Sequence, residues 1–109
     1  MITIPERDWK IIRDLKQELL NVACEQIFQR VEKLSANRAG QQHKSYLELY
    51  KLIEKEDEKI AKMFNDLKRS NAFFKIAALR HYAVLTDAQM ELFSEETRAI
   101  VEDLCQFRR

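Results

Sequence analysis

Residues 46 to 67 carry apolar side chains at the spacing of one helix face, and one position on that face is an aspartate. Tyr46, Tyr50, Ile53, Asp57, Ile60, Phe64 and Leu67 follow one another in steps of three and four. That spacing keeps side chains on one side of an α-helix. Similar stripes recur through most of the chain, which has a single glycine and a single proline in 109 residues. Such a chain is expected to fold by packing helix on helix. Its length suits one domain, residues 1–109.

The stripes and their punctuation predict an all-α bundle. A first helix is expected over about 5–35. Thr3 and Glu6 have capping-box spacing at its start, and Pro5 is tolerated in a first turn. Trp9, Ile12, Leu15, Leu19 and Val22 form one apolar stripe on it. Leu20, Ala23, Cys24, Ile27, Val31 and Leu34 form a second, slightly rotated one. The break at 35–40 holds the only glycine and no large apolar side chain. A second helix follows over about 41–68, with Lys68 and Arg69 at the end where the helix dipole favours cations. Ser70 and Asn71 read as a stop and a fresh cap.

A third helix, about 72–85, is apolar on most sides and so is expected to be central. Thr86 and Gln89 give a capping box for a short helix over about 87–92. Ser94 then caps a last helix, about 95–107, with Glu95 and Glu96 in its first turn and Arg108 and Arg109 at its end.

Helix lengths carry a further consequence. The first two helices are each about 40–45 Å long at a rise of about 1.5 Å per residue, and their short connection makes them an antiparallel hairpin. The third is only about 20 Å long by the same rise. It can cover the half of the hairpin that holds Trp9, Ile12, Ile60 and Phe64, but it cannot reach the closed tip. The tip carries Phe28, Val31, Leu34, Tyr46, Leu47, Leu49 and Tyr50. Either the fourth helix folds back over these side chains or they meet another chain. Monomers rarely leave a large apolar patch bare, and aromatics concentrate at interface centres. Phe28, Val31, Tyr46, Leu47 and Tyr50 are accordingly the expected interaction surface.

Charge and cysteine usage narrow the function classes. The net charge is +1, so no global field draws the protein to nucleic acid or an acidic membrane. No apolar run has the length of a signal peptide or membrane span, and the expected compartment is the cytoplasm. Cys24 and Cys105 lie far apart without flanking ligands, which reads as two reduced, partly buried thiols.

Weighing the polar residues gives no catalytic constellation. Asp57 is the possible buried polar site. A carboxylate inside an apolar seam costs several kcal/mol unless paired, so it either fixes register near Lys16, Gln17, Asn21 and Cys24 or sits at the seam's edge in water. The edge is the simpler expectation. Glu54, Glu56 and Glu58 alternate with Lys51, Lys55, Lys59 and Lys62, the pattern of a solvated, ion-paired face. His43 and His81 lack the glutamate three residues earlier that a carboxylate-bridged metal pair uses. With one glycine, no phosphate-cradling loop or dinucleotide fingerprint is present. No cofactor or metal is expected.

Lys68, Arg69, Lys75 and Arg80 make a basic segment, while 86–105 is acidic apart from Arg98. A DNA-reading helix presents polar and basic side chains to the groove, and the third helix is too apolar for that. The sequence thus points to a non-catalytic protein–protein interaction or regulatory module, acting as a homodimer or with another protein. The rivals are a nucleic-acid-binding regulator using the basic 68–80 segment and a small-ligand binder or enzyme.

Overall fold

The first helix of a computed structural model, α1, runs Glu6–Ala36 and the second, α2, Gln42–Phe64. A 3₁₀ turn at Arg69–Asn71 leads into α3 (Ala72–His81), followed by α4 (Asp87–Met90) and α5 (Glu95–Phe107). Residues 3–107 are described, so the expected placement of Arg108 and Arg109 falls outside them. Among the described residues there is no strand. No described helix is long and apolar enough to cross a membrane.

The long hairpin is present and sets the 54 Å long axis of a molecule 23 by 22 Å across. At its closed end the chain reverses through Gly40 at φ +78, in the left-handed region that a Cβ disfavours. Side chains brace this turn. The Arg38 guanidinium donates to the Ser35 carbonyl and hydroxyl, and the Gln41 amide donates to the Asn37 carbonyl.

Three local expectations are corrected. The Thr3–Glu6 capping box does not form. Pro5 is the N-cap and no side chain caps α1, while Glu6 is drawn to Arg69 at 2.8 Å. The second helix ends at Phe64 rather than near 68, because Asn65 turns extended and Asp66 takes φ +59. Asn71 holds the connection that follows: its side chain donates to the Asp66 carbonyl and accepts from the Lys68 amide. The third helix ends at His81 rather than 85. There Ala83 adopts φ +58, and the Val84 amide closes back on the Leu79 carbonyl at 2.9 Å. That closure is a left-handed helix stop built on an alanine.

The third helix is central, as its composition implies. It packs against both α2 and α5, and Ala72, Ile76, Ala77, Ala78 and Leu79 are all buried. With Ile12, Leu19, Phe93 and Val101 they form the core. Each such large side chain contributes about 1.5–3 kcal/mol on burial. The expected Thr86–Gln89 capping box of α4 is formed. Both cysteines are half-buried and free, and the Cys105 thiol lies 3.5 Å from the Ala77 carbonyl oxygen.

One fully buried carboxylate joins the two ends of the chain. Asp8, in the first turn of α1, accepts from the Ser94 amide at 3.0 Å and from the hydroxyls of Ser94 and Thr97, each at 2.5 Å. Its charge therefore lies at the N-terminus of α5, where the helix dipole favours an anion. Burial pushes its pKa up. The hydroxyls of Ser94 and Thr97, the Ser94 amide and nearby Arg7 together outweigh that and hold the carboxyl below its ordinary value of 3.8.

A depressed folded-state pKa contributes stability that is present above about pH 4 and lost as pH falls through the lowered value. Asp8→Asn is expected to cost about 2–3 kcal/mol in urea unfolding at pH 7. Its deficit against wild type should shrink as pH falls through the lowered value, where the native carboxyl also takes up its proton; an unchanged deficit would place the cost elsewhere. Ala83→Gly relieves the left-handed strain at the end of α3 and is expected to stabilise by about 0.5–1 kcal/mol in the same assay.

Candidate interaction surface

The C-terminal helices clasp only the open end of the hairpin. Lys75 on α3 donates to the Ala61 and Lys62 carbonyls at the end of α2. The far end of α3 reaches only as far as Gln26, whose amide donates to the Ala83 carbonyl, and Lys59, whose ammonium lies 5.6 Å from the Tyr82 ring centre. Past that level α1 and α2 continue as a two-helix arm. The one-turn α4 does not fold over the arm. It is tied instead to α3 by Arg80 and Asp87 at 2.7 Å.

The boundary between clasped body and arm is marked by a second buried carboxylate. Glu56 is 5% exposed. It takes Arg30 of α1 at 2.8 Å and Lys59 at 3.1 Å. Lys59 and Tyr82 then connect it to the end of α3. Beside it a cleft of about 230 Å³ is lined by Gln26, Arg30, Glu56, Lys59, His81 and Tyr82. The Arg30–Glu56 bridge ties α1 to α2 at this level.

On the arm, the side chains expected at an interface are bare. Phe28 is 62% exposed, Tyr46 63%, Tyr50 61% and Leu47 45%, and Ile53 joins them at 46%. Val31 differs from the expectation. It is half-buried and lines a shallow groove of about 230 Å³ between the helices, with Leu34, Ser45 and Leu49.

The structure separates two stripes on α2 that the sequence superimposes. Ser45, Leu49, Leu52, Glu56 and Met63 are buried or half-buried along one line of the helix. The row Tyr46, Tyr50, Ile53, Asp57, Ile60 and Phe64 lies about one residue, some 100°, further round. Its far half is covered, with Phe64 buried and Ile60 half-buried, whereas Tyr46, Tyr50, Ile53 and Asp57 are exposed. The possible burial of Asp57 is therefore corrected: it reaches water, and the buried acid of α2 is its neighbour Glu56. Sequence reasoning missed Glu56 because it reads as one more member of an alternating charged face. The signal for it was its place four residues after Leu52 and seven before Met63. Asp8 was missed likewise, since one acid in the first turn of a helix is ordinary.

The basic 68–80 segment is spent within the fold. Lys68 pairs with Asp66, Arg69 with Glu6, Lys75 with two backbone carbonyls and Arg80 with Asp87. His81 is exposed, edge-on to Tyr82.

No family model, curated protein or solved structure matches the chain.

The contrast between neighbouring carboxylates is testable at concentrations low enough to hold the protein monomeric. Glu56→Ala leaves Arg30 and Lys59 without their shared partner and is expected to lower stability by about 1–3 kcal/mol. Asp57→Ala should change it by no more than about 0.5 kcal/mol. Urea unfolding of both variants would reject this assignment if Asp57→Ala proved the costlier.

Proposed function

We propose that this chain is a cytoplasmic, non-catalytic protein–protein interaction module whose hairpin arm docks on the arm of a second copy. The observation that carries the reading is the exposure of Phe28, Tyr46, Leu47, Tyr50 and Ile53 on an arm that no other described element reaches. Aromatic side chains have roughly 150–250 Å² to bury. Three of them, each about three-fifths exposed, offer roughly 280–470 Å² per copy by that measure. With Leu47, Ile53 and the alkyl stems of Lys44 and Lys51, the surface approaches the roughly 800 Å² per partner of a stable interface.

The reading is also supported by where the patch lies. Aromatics dominate the energetic centres of interfaces, and a row of them on a projecting helix pair can meet a like row without disturbing the body. The competing reading, nucleic-acid binding through 68–80, draws less support, since each of the four cations of that segment already has a partner within the chain, Lys68 and Arg69 in surface pairs. A cytoplasmic setting suits two half-buried thiols that remain unpaired.

Sedimentation equilibrium over a wide concentration range tests the proposal. Wild type is expected to show a reversible monomer–dimer equilibrium. Tyr46→Ala with Tyr50→Ala is expected to weaken it more than tenfold, about 1.4 kcal/mol or more, with helical circular dichroism unchanged. Wild type that stays monomeric throughout, or a double variant that associates as before, would overturn it.

A further inference from the structure

We propose that the cleft at the root of the arm binds a small organic acid, a carboxylate carried on an apolar body. The proposal stands apart from self-association, since none of Phe28, Tyr46, Leu47, Tyr50 and Ile53 lines the cleft.

Three helices build it. α1 supplies Ile27 and Arg30, α2 supplies Lys59, Ile60 and Met63, and Tyr82 closes it at the end of α3. Spaces between the helices of a bundle are among the usual places for a ligand. Ile27 and Ile60 are half-buried and Met63 is buried, so part of the lining is apolar.

The charged part of the lining is not balanced. Arg30 and Lys59 carry two positive charges and Glu56 one negative, a surplus of one before His81 is counted. The three groups also differ in access. The Glu56 side chain is 7% exposed, whereas that of Lys59 is 25% and that of Arg30 47% exposed. A ligand entering the cleft therefore meets the cations ahead of the acid. Arg30 reaches Glu56 through Nη1 at 2.8 Å. A guanidinium has five N–H donors in a planar fork that matches a carboxylate, so donors remain for a second anion. Lys59 is held between the Glu56 carboxylate at 3.1 Å and the Tyr82 ring, whose centre is 5.6 Å from the ammonium. Both cations are thus positioned before a ligand arrives, which lowers the ordering cost of binding.

Space and chemistry together define the ligand. The volume of about 230 Å³ equals that of about eight waters at roughly 30 Å³ each, so an acid of about eight to ten non-hydrogen atoms fills it. Inorganic phosphate would meet the cations but leave Ile27, Ile60 and Met63 in water. A neutral apolar molecule would cover those side chains and leave the surplus charge unanswered. A carboxylate on an apolar body does both.

Titration of the full chain with benzoate, followed by NMR, tests the site. Resonances of Arg30, Lys59 and Tyr82 are expected to shift saturably, with a Kd on the order of 1 mM for so small a ligand. Benzamide has the same shape without the charge, and phosphate has the charge without the ring. Each should bind at least about tenfold more weakly. Glu56→Gln removes the competing acid and keeps the side-chain shape, so it should tighten benzoate about three- to tenfold. Lys59→Gln should weaken it about tenfold, with circular dichroism verifying that both variants are folded. Benzamide binding as tightly as benzoate, or a folded Glu56→Gln variant that binds it more weakly, would overturn the role of the surplus charge. Phosphate binding as tightly would overturn the organic-acid assignment. No saturable shift at the cleft with benzoate well above that concentration would overturn the site itself.

Discussion

The shape of this molecule follows from a mismatch in helix length. The hairpin helices have 31 and 23 residues, whereas α3 has 10 and α5 has 13. A helix of ten residues spans about 15 Å, and no packing of such elements can cover a hairpin three times as long. The short helices instead concentrate at the open end, where buried Ile4 and the α2–α3 connection supply further contacts. The arm is the remainder. Its exposure is a geometric consequence of where the left-handed stops at Asp66 and Ala83 end α2 and α3.

Two buried carboxylates divide the work of holding this arrangement. Asp8 gathers three hydrogen bonds from the start of α5 and so fixes the last helix to the first turn of the first. With α5 pinned there, α3 is enclosed between it and the hairpin. Glu56 acts at the other limit of the body. It ties α2 to α1 through Arg30 and to α3 through Lys59, whose ammonium also rests over Tyr82. Both carboxylates are fully partnered, which is the condition under which a buried charge is tolerated at all.

Much of this was legible from spacing alone. Steps of three and four gave the helices, the glycine-bearing break gave the turn of the hairpin, Thr86 and Gln89 gave the start of α4, and the length argument left the tip with Phe28, Tyr46, Leu47 and Tyr50 to be covered by α4 or by another chain. What escaped were features that depend on neighbours distant in sequence. Asp8 is an ordinary first-turn acid until Ser94 and Thr97 are brought to it. Glu56 and Asp57 are adjacent acids in the same charged run, and a rotation of one residue decides which is buried. The capping box at Thr3 failed for a similar reason, because Arg69 offers Glu6 a charged partner that a local reading cannot see. Helix stops at Asp66 and Ala83 were also hidden, since neither is glycine and left-handed geometry at such residues is imposed by the packing around them.

The position of Glu56 bears on how the arm can bind. An isolated pair of helices is marginal in water, because little apolar surface is shared between them. The arm escapes that limit by being anchored at both ends. Gly40 and the hydrogen bonds of Arg38 and Gln41 close the tip, and the Arg30–Glu56 bridge ties α1 to α2 where the body stops. Tyr46, Tyr50 and Ile53 are therefore presented on a helix whose backbone is already ordered. In the proposed self-association the cost would then lie chiefly in fixing side chains, and ordering costs are what most reduce the affinity an interface can reach. The buried ion cluster and the bare aromatic row are in this sense one feature: the first makes the scaffold on which the second can act.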